Sequence, residues 1–167
     1  INIFDNRSGG STGFMIGINN DTKIRFYWDS ADRIVDSATV STGQWYHIAV
    51  ARSSGTTKMF KNGTQIGSDY SDTNNYTSSW LEIGQRSVSD GLEFDGKLSN
   101  VRVVLGTALY TANFDVPTAP LTAISGTELL ICTNNNLLDE GPNKISFTVK
   151  GNATPSASSP FTGNTGK

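Results

Sequence analysis

The two residue types most often used for nucleophilic or metal chemistry each occur once in this chain, as His47 and Cys132. A catalytic histidine needs a nucleophile or a carboxylate beside it, and a zinc site needs several ligands at a suitable spacing. The segment GQWYHIAVAR around His47 offers no such partner. Cys132 lies in the apolar run ELLICT, where a thiol acts as a small hydrophobic side chain. We therefore predict that both residues are structural, with His47 in the middle of a strand and hydrogen-bonded across a sheet.

A second set of residues suits binding. These residues lie in or directly after predicted loops at one end of the sheets, which are residues 5–13, 29–32, 53–56 and 69–79. Carboxylate and amide oxygens suit calcium, a cation that takes six to eight oxygen ligands. The candidate metal ligands are Asp5, Asp29 and Asp72. The candidate ligand-binding residues are Arg7, Asn74, Asn75, Tyr76 and Trp80, since aromatic rings can stack on a sugar and amides can bond to its hydroxyl groups. The alternative is that Asp and Asn occur here only because they favour turns.

Short strands must position these loops. The apolar residues recur with a period of two in segments such as FMIGI, KIRFYW and WYHIAVAR, which is the pattern of strands with one buried face. Asn62-Gly63, between two such segments, predicts a type I′ hairpin. Turns every 8 to 12 residues favour a sandwich or barrel. No helical stretch is long enough to connect parallel strands, so the predicted fold is all-β. If the strands alternate in direction, the four loops lie at the same end.

Charge and composition exclude some partners. The net charge is −2 and no basic patch stands out, so nucleic acid is not an expected partner. No stretch approaches the roughly 20 apolar residues of a membrane span, so we expect no membrane insertion. The abundance of Ser, Thr, Asn and Gly is common in extracellular and virion-surface β proteins. The chain begins at Ile1 without a signal peptide, and we interpret it as a processed product or a piece of something longer.

Five segments in order resemble a known family. They are GQWYHIAVAR, KMFKNGTQIG, LEIGQ, FDGKLSNVRVV and ALYTANF, and they lie within residues 1–116. Together they resemble the laminin-G-like, or concanavalin A-like, jelly-roll domains. The resemblance implies an antiparallel β-sandwich of the jelly-roll type. The stretch YTANFDVPTAPLTAISGTELLICTNNNLLDE also resembles the linker between tandem copies of this domain in large structural proteins of marine bacteriophages and bacteria.

The chain departs from the family at its beginning, because two opening strands of the family are missing. We expect the gap to be filled by upstream chain, by C-terminal strands or by a neighbouring subunit. The predicted organisation is a laminin-G-like sandwich over 1–116, an extended linker over 117–127, and a C-terminal strand pair with a flexible tail over 128–167. That last part completes the sandwich or leads to a next domain. We also expect an oligomer or a segment of a larger assembly.

The same fold carries laminarinase-type glycoside hydrolases, which use a Glu-x-Asp-x-x-Glu motif on one strand. Glu93 and Asp95 match its first two carboxylates and would point to the same face, but position 98 is Leu98. Retaining hydrolysis needs two carboxyl groups about 5–5.5 Å apart. The sequence therefore predicts no catalytic residues and no enzyme.

Three function classes follow. The first is a non-catalytic adhesion or glycan-binding module on a virion or cell surface, for example in a phage tail fibre, capsid fibre or decoration. The second is a purely structural virion subunit without a ligand. The third, less favoured, is a glycoside hydrolase. The expected partners are a surface glycan or other virion or cell-surface proteins, and calcium is the one cofactor considered.

Overall fold

The computed structural model describes residues 1–7, 13–86 and 92–161. Within these ranges the chain forms strands and no helix, so it contains no helix capable of crossing a membrane. The strands, in chain order, are β1 (Asn2–Asp5), β2 (Phe14–Ile18), β3 (Lys23–Trp28), β4 (Ala31–Thr39), β5 (Ile48–Ser53), β6 (Thr56–Lys61), β7 (Thr64–Ser71), β8 (Glu82–Ile83), β9 (Val101–Val104) and β10 (Thr127–Ile131).

Contacts divide the chain into two compact units. The first contains residues 1–96 and 109–115, and the second contains residues 97–108 and the chain from 116 onward. The predicted domain boundaries after residues 116 and 127 stay predictions.

The first unit is built from two antiparallel sheets. One has the strand order β4-β3-β2-β1-β8, and the other has the order β5-β6-β7. Short turns join β2 to β3, β3 to β4, β5 to β6 and β6 to β7. The turn between β6 and β7 has positive φ at both Asn62 (51°) and Gly63 (79°). Positive φ at both positions defines the type I′ turn, so the predicted hairpin is confirmed.

The two sheets enclose the core of the first unit. Ile24, Phe26 and Ile34 come from the larger sheet, and Met59 comes from the smaller one. Each is at most 2% exposed, and Val50 packs against them. Burial of a side chain of this size stabilises the fold by about 1.5–3 kcal/mol. The all-β sandwich predicted from the period-two pattern is confirmed.

The smaller sheet is covered on its other face as well. Residues 109–115 return to it, and the ring of Phe114 lies 5.4 Å from that of Phe60 and 5.5 Å from that of His47. The N–H of Phe114 donates to the carbonyl of Gly63. The segment ALYTANF is therefore part of the packing of the first unit.

The second unit contains the antiparallel pair β9 and β10. The C-terminal strand pair predicted over 128–150 is not formed, because β10 pairs with β9 and the described residues 142–150 include no strand. The N–H of Ile145 donates instead to the carboxylate of Asp139, and Phe147 and Val149 are exposed. An alternating apolar pattern forms a strand only where a neighbouring strand can pair with it. The predicted tail extends beyond the described residues.

Candidate ligand-binding site

Loops from both sheets of the first unit meet at one end. The ring of Tyr76 lies 5.1 Å from that of Phe14, which opens β2, and 6.3 Å from that of Trp28, which ends β3. The N–H of Asp72 donates to the carbonyl of Gly55 in the β5–β6 turn. The common end predicted from alternating strand direction is therefore observed, while residues 8–12 of the first loop lie outside the described residues.

Asp72 is the centre of this end. It is 1% exposed, and its Oδ2 accepts hydrogen bonds from the hydroxyls of Thr57 (2.6 Å) and Tyr76 (2.8 Å). Its Oδ1 accepts from the main-chain N (3.2 Å) and from Nδ2 (2.8 Å) of Asn74, and lies 3.5 Å from Nη1 of Arg52. The carboxylate thus fixes the loop after β7 to β6 and to the end of β5.

Burial opposes the charge on Asp72, but the hydrogen bonds from Thr57, Tyr76 and Asn74 outweigh it and place the pKa of Asp72 below its ordinary value. Burial and the bond to this carboxylate raise the pKa of Tyr76 well above that of a free phenol. At neutral pH the pair is therefore a carboxylate that accepts from a neutral phenol. Both oxygens of Asp72 are occupied by protein donors.

The three predicted metal ligands are not brought together. Asp5 is 1% exposed and accepts from Asn2 and from the main chain and guanidinium of Arg7. Asp29 is exposed and lies 3.7 Å from Nη2 of Arg33. In the part of the chain that the structure describes, no three His, Cys, Asp or Glu residues form a group that could hold a metal ion.

The separation of Asp5 from Asp72 follows from strand alternation. Asp5 lies opposite Met15 in the β1–β2 ladder, whereas Tyr76, which binds Asp72, packs on the neighbouring Phe14. Successive side chains of a strand point to opposite faces of the sheet. Asp5 therefore points to one face of the larger sheet, and Phe14, on which the Asp72–Tyr76 pair packs, points to the other. Loop position alone predicted the shared end but not this difference.

The predicted ligand-binding residues also fall into two separate groups, one beside Asp72 and one beside Asp5. Asn74, Asn75 and Tyr76 share the Asp72 loop, where Asn75 is exposed and the carbonyl of Asn74 accepts from Arg52. Trp80 follows at 46% exposure. Arg7 is not part of this group, since its guanidinium binds Asp5 and lies 4.9 Å from the ring centre of Tyr27.

Two arginines of this end were missed as candidates. The guanidinium of Arg52 lies 5.1 Å from the ring centre of Tyr76, and that of Arg33 lies 5.3 Å from the ring of Trp28. The side chain of Arg52 is 41% exposed. Its position at the end of WYHIAVAR could have pointed to this end, but nothing in the spacing links it to Asp72, 20 residues later.

His47 does not lie in the middle of a strand, where it was predicted. It precedes β5 rather than lying in the middle of the strand, because the ladder to β6 begins at Ile48. Its main chain bonds across to Asn62, whose Oδ1 accepts from the N–H of His47. Its ring stacks edge-to-face with Tyr110 and Phe114.

Burial raises the pKa of the Cys132 thiol, which disfavours the nucleophilic thiolate.

The predicted acidic pair is not held on a common sheet face. Glu93 and Asp95 are both exposed and lie in a described stretch, 92–100, that is not a strand. The strand predicted to carry Glu93 and Asp95 is not formed at these positions, because the ladder of this region begins only at Val101. That the two side chains point to the same face stays a prediction.

The chain matches a laminin-G-type family model described as the concanavalin A-like lectin/glucanases superfamily over residues 1–109. The chain belongs to this superfamily. Searches of curated proteins and of solved structures gave no match. Laminin G-like domains of the superfamily are generally non-catalytic and often bind glycans or proteins, although the superfamily also includes glycosidases.

Proposed function

We propose that this chain is a non-catalytic glycan-binding or adhesion module and that it binds through the loop after β7. Membership of the superfamily supports the general function. The observation that supports the location is the buried Asp72, which holds Asn74 and Tyr76 in fixed positions while Asn75 and Trp80 remain exposed.

A sugar-binding surface of this kind works best when it is fixed before the ligand arrives. Ordering a loop costs binding free energy, so a loop already held by its own hydrogen bonds loses less on binding. The exposed indole of Trp80 offers an apolar face to a pyranose ring, and the amide of Asn75 offers a donor and an acceptor to hydroxyl groups. The guanidinium of Arg52 adds further donors.

We propose further that the module acts at a virion or cell surface, in a phage fibre or decoration or in a bacterial surface protein, as part of a larger assembly. The resemblance of residues 110–140 to the linkers of such tandem proteins supports this setting. A purely structural subunit is the second candidate. It is favoured by the internal use of Asp5 and Asp72, whose oxygens already bind protein donors.

A glycan array with matched variants tests the proposal. We expect Trp80→Ala to lower binding to any retained glycan by about tenfold or more, as is usual when an aromatic side chain at the centre of a contact is removed. Trp45→Ala is the control, since Trp45 is 37% exposed and lies before β5, at the opposite end of that strand from Arg52. Binding that is absent for the unmodified chain, or equally weakened in both variants, would contradict this site and favour the structural subunit.

A further inference from the structure

A lysine and an aspartate meet between the two sheets of the first unit. The ammonium group of Lys61, the last residue of β6, is in direct contact with the carboxylate of Asp36 on β4. The two residues are 25 positions apart in sequence, and their strands belong to different sheets. The contact therefore joins a strand of the larger sheet to a strand of the smaller one.

Strand alternation directs both side chains into the sandwich. Asp36 follows Ile34 by two positions on β4, and Lys61 follows Met59 by two positions on β6. Ile34 and Met59 are core residues, and residues two apart on a strand share a face of the sheet. Asp36 is 3% exposed, and the side chain of Lys61 is 16% exposed. The pair is therefore largely removed from water.

Charges in this position are costly. Removing an ammonium and a carboxylate from water costs free energy, which their mutual attraction repays only when further hydrogen bonds satisfy both groups. Oδ1 of Asp36 accepts from the N–H of Ala38 (3.0 Å), and Oδ2 faces the amine of Lys61. A neutral amide in place of the ion pair would remove both charges from the interior.

We propose that Lys61 and Asp36 condense to a side-chain amide, an isopeptide bond, which links the two sheets covalently. One proton passes from Nζ of Lys61 to Oδ2 of Asp36, and Nζ then attacks Cγ. The C–N bond forms, the bond from Cγ to Oδ2 breaks, and Oδ2 leaves as water with a second proton from Nζ. Atoms and charge balance without a further reactant. The bond forms whether or not the module binds a glycan.

The geometry favours this step in two ways. The fold holds the amine and the carboxyl group in contact, so a reaction within one molecule replaces an encounter between free groups. The N–H of Ala38 donates to Oδ1, the oxygen on which negative charge develops when Nζ adds to Cγ. Oδ2, on the side of the amine, is then the oxygen that departs.

A second lysine–aspartate pair of the first unit lacks this setting. Nζ of Lys58 lies 3.3 Å from Oδ2 of Asp69, but the two side chains are 29% and 49% exposed. Water stabilises both charges there, so we expect this pair to remain ionic. It is the internal control for Lys61 and Asp36.

The mass of the intact full chain, measured in denaturant, is the first test. We expect it to be lower than the mass of the sequence by one water molecule. A chain with the full sequence mass would overturn the proposal. A missing water that maps to an aspartate–glycine pair such as Asp95-Gly96, where a cyclic imide can form, would overturn it as well.

Tryptic peptides locate the bond. Trypsin does not cleave after a lysine whose amine is acylated, so we expect one branched peptide that joins residues 34–52 to residues 59–86. Cleavage after Lys58 should be normal. Cleavage after Lys61, with residues 34–52 recovered only as a linear peptide, would contradict the bond.

Matched variants separate the bond from the ion pair. Lys61→Arg keeps a positive charge beside Asp36 but supplies no amine, so we expect its full sequence mass, whereas Lys58→Arg should still lack one water. A water missing from Lys61→Arg would show that the bond does not involve this lysine. The branched peptide of the unmodified chain decides the proposal even if Lys61→Arg does not fold, because that measurement uses no variant.

Discussion

Asp72 is the residue on which the geometry of the loop end most depends. We predict that Asp72→Asn lowers the free energy of unfolding by about 2 kcal/mol or more, because an amide nitrogen replaces an acceptor in a buried network and leaves a donor facing other donors. Urea unfolding followed by tryptophan fluorescence measures the change.

Asp69→Asn is the matched control for Asp72→Asn. The side chain of Asp69 is 49% exposed and lies 3.3 Å from that of Lys58. An exposed ion pair contributes at most about 1 kcal/mol. Equal losses of stability in the two variants would contradict a special role for Asp72.

The lowered pKa of Asp72 predicts a loss of stability in acid. Because the pKa is lower in the folded than in the unfolded chain, the carboxylate stabilises the fold fully above the ordinary aspartate pKa of about 3.9. This contribution is lost as the pH falls from there through the lower, folded pKa. We expect the unfolding free energy of Asp72→Asn to vary less with pH in this window than that of the unmodified chain. Parallel pH profiles would contradict the assignment.

The sequence predicted the environment of single residues where that environment is local. The structural role of His47 stays a prediction, but its packing partners Tyr110 and Phe114 lie in the segment ALYTANF, which the sequence already singled out. The partners of Asp72 could not be inferred from the sequence, because Thr57 and Arg52 reach Asp72 only after two hairpins have formed. Turn preference explains an aspartate in a loop equally well whether it is buried or exposed.

At the scale of elements, the contact of β7 with β4 depends on a glycine. Gly67 has a φ of +63°, and a Cβ at this position would lie 2.5 Å from Cγ2 of Ile34 and 3.0 Å from the carbonyl oxygen of Val35. We predict that Gly67→Ala lowers the free energy of unfolding by about 2–4 kcal/mol, through steric overlap and an unfavourable φ together.

Gly43→Ala separates the cost of an unfavourable φ from the cost of steric overlap. Gly43 has a φ of +76° but nothing within 4 Å of a Cβ. Its substitution should cost only the conformational part, about 1–2 kcal/mol. Thermal unfolding of both variants measures the difference between their losses of stability. Equal losses would show that steric overlap between β7 and β4 does not contribute to the effect of Gly67→Ala.

Asp139 organises the chain after β10. Its Oδ1 accepts from the N–H groups of Leu130 and Gly141, and its Oδ2 accepts from that of Ile145. We predict that Asp139→Ala increases hydrogen exchange at these three amides at least tenfold, since each loses its acceptor. Glu140→Ala is the control, because the contacts of Glu140 are to the side chains of Asn134 and Asn136. Unchanged exchange in Asp139→Ala would contradict this role.

Elements could be predicted where two signals agree. Alternating apolar residues together with Asn62-Gly63 specified the β6–β7 hairpin. The segment with Ile145, Phe147 and Val149 has the same alternation but forms no strand, because alternation describes a face and does not supply a neighbour. Pairing of β10 with β9 across more than 20 residues depends on tertiary structure, which no local pattern encodes.

At the scale of the whole molecule, the arrangement of the acidic residues has a consequence for calcium. Asp5 and Asp72 belong to different faces and already bind protein donors, so we expect the melting temperature to be the same in calcium and in EDTA. A single site at a hundredfold excess over its Kd would add about 2.7 kcal/mol. A melting temperature several degrees higher in calcium than in EDTA would contradict this expectation and support the metal site predicted from the sequence.

The chain crosses between its two units three times, after residues 96, 108 and 115. A single cut in the backbone between residues 96 and 116 would therefore leave at least one other covalent crossing between the two units. Residues 109–115 would remain packed in the first unit. A protease that nicks the chain near residue 105 should yield two pieces that migrate together under native conditions and separate only in denaturant. Because the rings of Tyr110 and Phe114 pack on His47 and Phe60 of the first unit, we expect a chain pulled from both ends to lose these contacts before residues 97–115 extend.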